Sequence, residues 1–208
     1  MRDNKALYLH KEIRSFMESF WVSTGVVALA EMGDKTQLLA FLLAARFKRP
    51  VPIIAGIFFA TIVNHGLAGA LGVWITTTLS PQIMRWVLGI SFLAMAAWTL
   101  IPDKIEDEET SMATRFGVFG ATLVTFFWAE MGDKTQVATV AMAAHYQDAW
   151  KVVAGTTLGM MIADVPAVFL GDKLSAKLSL KWLHAAAALV FAALGVATLM
   201  GAGERIGL

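Results

Sequence analysis

Cysteine is absent from this chain of 208 residues. That excludes disulfides, thiolate metal sites and cysteine nucleophiles. Charge is scarce as well. Only 16% of residues are charged, where a soluble domain carries roughly a quarter. The net charge of +1 gives no basic patch for nucleic acid. The four histidines, His10, His65, His145 and His184, form no ligand-spaced cluster. No Ser/His pairing suggests a nucleophile, so an enzyme has little to work with. What remains is apolar: 57% hydrophobic residues and a mean hydropathy of +0.63.

The apolar residues gather in six segments, at about 20–46, 52–75, 83–101, 116–145, 151–170 and 183–201. A span needs about 20 apolar residues to cross a ~30 Å hydrocarbon core. Four segments fit single spans, and the first and fourth are longer. Trp21, Trp74, Trp86, Trp98, Trp150 and Trp182 fall near segment ends, as an aromatic belt requires. Trp128 does not, and is placed beside the polar motif described next, with lipid-facing packing as the plainer reading.

Inside the first segment stands Glu31-Met32-Gly33-Asp34-Lys35-Thr36-Gln37. It returns letter for letter as Glu130-Met131-Gly132-Asp133-Lys134-Thr135-Gln136. Charged groups at bilayer depth cost about 2.5–3.5 kcal/mol each and mark functional sites. The apolar run at 20–30 has a basic lead and an Ala-Leu-Ala end, like a signal peptide, but the internal copy argues for a retained helix.

Ninety-nine residues separate the copies, and the same offset sets Gly56 on Gly155, Gly72 on Gly171, His65 on Asp164 and Phe92 on Phe191. A short gap is expected before the third spans. The predicted fold is an all-α integral membrane protein of six transmembrane helices. These form two inverted three-helix repeats, with helices one and four kinked or broken at Gly33 and Gly132. Three spans per half is odd, so the second half enters from the opposite side. The expected domains are a tail or extension at 1–16, repeats at 17–101 and 115–208, and an acidic linker at 102–114. Met17 reads as an alternative start. Lys and Arg counts on the two sides are nearly equal. Discounting the first sixteen residues favours a cytoplasmic central loop.

On a continuous helix Glu31 and Asp34 share a face at i, i+3, as do Glu130 and Asp133. Facing each other, they offer four carboxylates. Thr36, Gln37, Thr135 and Gln136 add neutral oxygens. Such a sulfur-free set suits Mg²⁺, Ca²⁺ or Mn²⁺. Lys35 and Lys134 pair with their own glutamate or with the facing motif. Four acids and two lysines leave −2, which one divalent ion or two protons would neutralise. Asn64, His65 and Asp164 are accessory or proton-coupling candidates, and for Asn64 helix–helix packing is the plainer reading. Gly66, Gly69, Gly72, Gly155 and Gly159 read as close packing. Gly171-Asp172-Lys173 reads as interfacial. Salt bridges that merely hold the helices together are the structural alternative for the motif itself.

The doubled Glu-x-Gly-Asp-Lys-Thr motif resembles uncharacterised protein family 0016, the Gdt1 family, over nearly the whole chain from Met17. That family includes bacterial manganese exporters and a Golgi manganese/calcium transporter. The resemblance implies a cation/proton antiporter of the bacterial inner membrane. It exchanges Mn²⁺, or alternatively Ca²⁺, for H⁺, with no permanently bound cofactor. Its partners are the bilayer, the cation and the proton. The resemblance also assigns Glu31, Asp34, Thr36, Glu130, Asp133 and Thr135 to the ion. Competing readings are a passive cation channel, an intramembrane enzyme and an exporter of a small organic solute.

Overall fold

The computed structural model describes residues 2–101, 117–170 and 180–201. These are helical, with no strand among the described residues. In chain order they form α1 (Arg2–Glu31), α2 (Lys35–Phe47), α3 (Pro50–Thr78), α4 (Pro81–Thr99), α5 (Gly117–Glu130), α6 (Lys134–Tyr146), α7 (Ala149–Leu170) and α8 (Leu180–Leu199). The expected acidic linker and Gly171-Asp172-Lys173 lie outside the described residues.

Eight helices appear where six segments were expected because each motif-bearing segment divides. Gly33 (φ 87°) and Gly132 (φ 76°) adopt the left-handed conformation that glycine reaches without Cβ strain, which ends α1 and α5. Asp34 then caps α2, its carboxylate accepting from the Lys35 amide at 2.8 Å. Glu31 and Asp34 therefore do not share a helical face; they flank a break. The sequence also separates a tail at 1–16, whereas α1 runs unbroken from Arg2. No glycine or proline occurs before Gly25, so nothing local stops that helix.

The offset of 99 runs through the backbone. α2 and α6 begin and end 99 residues apart, α3 and α7 begin 99 apart, and so do α4 and α8, with no gap before them. Lys48 and Gln147, again 99 apart, close α2 and α6 in the left-handed conformation. Proline at the first turn starts α3 and α4, where its missing N–H costs nothing.

The halves interlock. α1 packs on α7 as α5 packs on α3, and α4 lies on α8, while α3 and α7 meet centrally. Glycines permit the close approach. A methyl at Gly155 would strike the Phe20 carbonyl, one at Gly159 the Thr24 carbonyl, and one at Gly72 the Val140 carbonyl. Gly56 lies against Thr122, and its partner in the repeat, Gly155, lies against Ser23, the residue 99 before Thr122. Gly69 faces Val153. Gly66 faces open space, so its helix-packing assignment fails: it points away from the seams. α3 and the stretch Ala149–Phe169 of α7 are the two described helices long and apolar enough to cross a membrane. Trp21, Trp74, Trp86, Trp150 and Trp182 are exposed, as belt residues are, and so is Trp128.

Candidate functional site

Each motif folds into the same self-contained turn. The Asp34 amide donates to the Glu31 carbonyl at 3.0 Å, and Asp133 to Glu130 at 3.1 Å. Thr36 Oγ1 donates to Glu31 Oε2 at 2.5 Å, and Thr135 Oγ1 to Glu130 Oε2 at 2.9 Å. The Gly33 amide donates to Gln37 Oε1 at 2.9 Å, and the Gly132 amide to Gln136 Oε1 at 2.7 Å. Most letters thus have a local task. The threonine aims the glutamate, the glycine makes the turn, the aspartate begins the next helix and the glutamine ties the turn off.

The glutamine amide nitrogens reach the other half. Gln37 Nε2 donates to the Ala163 carbonyl at 2.9 Å, and Gln136 Nε2 to Asn64 Oδ1 at 3.4 Å. Asn64 and Ala163 are themselves 99 residues apart. Asn64 Nδ2 donates in turn to the Phe127 carbonyl at 3.0 Å, pinning α3 to α5.

The lysines choose the facing motif. Lys134 Nζ lies 2.9 Å from Asp34 Oδ2, both side chains fully buried. Lys35 Nζ lies 3.8 Å from Asp133 Oδ1, with Lys35 20% exposed. These crossed pairs bring the two turns together. Glu31, Asp34 and Asp133 each place a carboxylate oxygen so that all three lie within 4.8 Å of one another. Glu130 is fully buried beside them in sequence but outside that trio. Glu31 Oε1 and Glu130 Oε1 have no hydrogen-bond partner among the described residues. The trio is an all-oxygen acidic cluster at the ends of two broken helices. Half-helix C-terminal ends and unwound carbonyls favour cations there.

His65 and Asp164 are buried on α3 and α7. His65 Nδ1 is 3.0 Å from Thr156 Oγ1, a partner that sequence reasoning missed. No periodic signal pointed to Thr156, because its position in the other half holds Ile57. Neither Asp164 oxygen has a hydrogen-bond partner among the described residues.

The sequence profile of the family described as "Divalent cation/proton antiporter GDT1" matches residues 19–107 and 118–205. A "Putative manganese exporter" of Vibrio cholerae is 52% identical over 179 residues, covering 85% of this chain and 88% of that protein. A GDT1-like protein of Synechocystis is 28% identical over 194 residues, covering 84% and 93%. The "Divalent cation/proton antiporter GDT1" of Saccharomyces cerevisiae is 24% identical over 230 residues, covering 85% and 81%. No solved structure matches.

Proposed function

The chain belongs to the GDT1 family of divalent cation/proton antiporters, and from that premise we propose that it exports Mn²⁺, with Ca²⁺ as the alternative cargo, in exchange for protons. As a member of that family it is a membrane transporter and not an enzyme. The bacterial inner membrane is its proposed location, with six spans in two inverted repeats. α1 with α2, α3 and α4 supply the first three; α5 with α6, α7 and α8 supply the second. The reciprocal packing of α1 on α7 and of α5 on α3 supports that arrangement.

The proposed ion site takes carboxylates from Glu31, Asp34, Glu130 and Asp133. Thr36 and Thr135 orient the glutamates and keep a lone pair for the ion, and the Gln37 and Gln136 carbonyls keep one also. Lys35 and Lys134 hold the charge of the set at −2, so one divalent ion or two protons neutralise it. Alternate occupancy by either couples the two fluxes. The observation that carries this reading is the crossed pairing of Lys134 with Asp34 and of Lys35 with Asp133, which gathers acids from both halves around one point. Structural salt bridges alone would not need the three carboxylates within 4.8 Å.

The test is transport into proteoliposomes of purified protein with an imposed pH gradient and Mn²⁺ or Ca²⁺. Glu31→Gln and Asp133→Asn run beside the wild type. Uphill Mn²⁺ movement that needs the gradient, and stops in both variants, is the expected result. Flux indifferent to the gradient would make the protein a channel. Absence of any divalent flux would return the motifs to a structural role.

A further inference from the structure

The seam between α3 and α7 holds polar groups that the cation site does not use. His65, Thr61 and Asp164 are fully buried there. Thr156 Oγ1 donates to the Val153 carbonyl at 3.2 Å. Its oxygen is then the acceptor for His65 Nδ1–H, and the lone pair of the neutral ring sits on Nε2. His65 Nε2, Thr61 Oγ1 and both Asp164 oxygens have no hydrogen-bond partner among the described residues. Native interiors seldom leave such groups unmet, and the exceptions gather at functional sites or ordered water.

The repeat places these groups in one line. Asp164, Met160 and Thr156 stand 99 residues after His65, Thr61 and Ile57. The His65–Thr156 contact therefore has Ile57–Asp164 as its counterpart, just as Gly56–Thr122 has Gly155–Ser23. α3 and α7 then cross antiparallel. Asp164 stands two turns along the seam from His65, about 12 Å at 1.5 Å per residue, with Thr61 between. Both ends touch the cation site: Gln136 bonds Asn64, beside His65, and Gln37 bonds Ala163, beside Asp164.

We propose that Asp164 is a further proton-carrying carboxylate of the exchanger, beyond the motif acids that share two protons when no ion is bound, and that Thr61 and His65, with ordered water, form the branch through which its proton moves. The inference rests on the antiporter reading. Among the described residues, Asp164 is the one buried acid outside the four motif carboxylates. It is protonated when the cation site is empty. A divalent ion arriving among Glu31, Glu130, Asp34 and Asp133 adds positive charge within its reach, and the Asp164 O–H gives up its proton. The proton passes by the water and Thr61 Oγ1 to the Nε2 lone pair of His65, the single titratable side chain of α3. The carboxylate keeps the electron pair, and the imidazole passes the proton on toward solvent. Lys35 and Lys134 stay paired with their aspartates throughout.

The experiment uses the full chain in proteoliposomes with radioactive Mn²⁺ and an internal pH dye. Two rates are read: uptake driven by a pH gradient, and Mn²⁺/Mn²⁺ exchange without one. Asp164→Asn and Thr61→Val should lose at least about tenfold of the driven uptake and of the proton signal, with exchange within about twofold of wild type. Thr61→Ser, which restores the hydroxyl, should recover the driven uptake. Driven uptake unchanged in both Asp164→Asn and Thr61→Val overturns the proposal, and so does exchange falling in step with uptake. If the wild type moves no Mn²⁺ in either assay, the antiporter reading itself fails.

Discussion

Residues 31–37 and 130–136 share seven letters and most of their internal bonds, though only Asp34 caps its helix through its side chain, and the two turns sit differently. Lys134 is sealed against Asp34 at 2.9 Å, whereas Lys35 stands 3.8 Å from Asp133 and stays 20% exposed. Met131 and Gly132 are exposed, while Met32 and Gly33 are half-buried. Local sequence sets the turn, and the packing of the surrounding helices sets its access. The two copies therefore differ in which part is uncovered: the lysine head in the first, the Met-Gly turn in the second.

The comparison breaks most sharply at the lysines. Lys134→Met removes the base from a fully buried pair and should cost about 3–5 kcal/mol of stability. Lys35→Met, at a looser and partly wet pair, should cost about 1 kcal/mol or less. Thermal unfolding of both variants in detergent measures the difference, and equal shifts would remove the asymmetry.

A smaller contrast lies where helices touch. Gly155→Ala drives a methyl into the Phe20 backbone carbonyl and should cost about 1–3 kcal/mol. Gly56→Ala meets the Thr122 side chain, with Cβ 2.7 Å away. Adding Thr122→Gly, which removes that Cβ, should partly rescue Gly56→Ala, whereas Ser23→Gly should leave Gly155→Ala unrescued, because the Phe20 carbonyl is backbone and cannot be trimmed. Rescue at both positions would make the two seams equivalent.

The smallest contrast lies where α3 and α7 begin. Arg49 makes no side-chain cap, but its counterpart Asp148 accepts from the Lys151 amide at 3.2 Å and lies 2.7 Å from Lys151 Nζ. Partial burial pushes the Asp148 carboxyl up, but the hydrogen bonds and charge of Lys151 outweigh it and hold the group below its ordinary range. A carboxylate lowered on folding stabilises above its unfolded pKa, and the benefit fades as pH falls through the folded value. Asp148→Asn should therefore cost about 1 kcal/mol or less at neutral pH. The gap from wild type should close below about pH 4. A gap unchanged at low pH would assign the effect to packing.

Much of this was readable beforehand, since the doubled heptapeptide and the offset of 99 are properties of the letters. The breaks at Gly33 and Gly132 were also foreseeable, because glycine beside polar residues inside an apolar run has few other uses. The shared helical face of Glu31 and Asp34 was misjudged for the same reason: a left-handed glycine between them rotates the second helix. Lysine pairing across the halves was one of two options, and only the mutual placement of α2 and α6 selects it. Thr61 and Thr156 carried no signal, because their counterparts, Met160 and Ile57, are apolar and the repeat hides them. Gly66 was read as a packing residue, yet its side of the helix faces open space, while the exposure of Trp128 agrees with the plainer of its two readings.

The crossed pairs also bear on how the chain is made. A hundred residues separate Asp34 from Lys134, about 5–20 s of synthesis at 5–20 residues per second. Through that interval the first half emerges from the ribosome with an acid and a base whose partners do not yet exist. A fragment ending before α6 would keep them unmatched in lipid, a target for membrane proteases. The second half thus completes the first, bringing the partners that Asp34 and Lys35 lack until then.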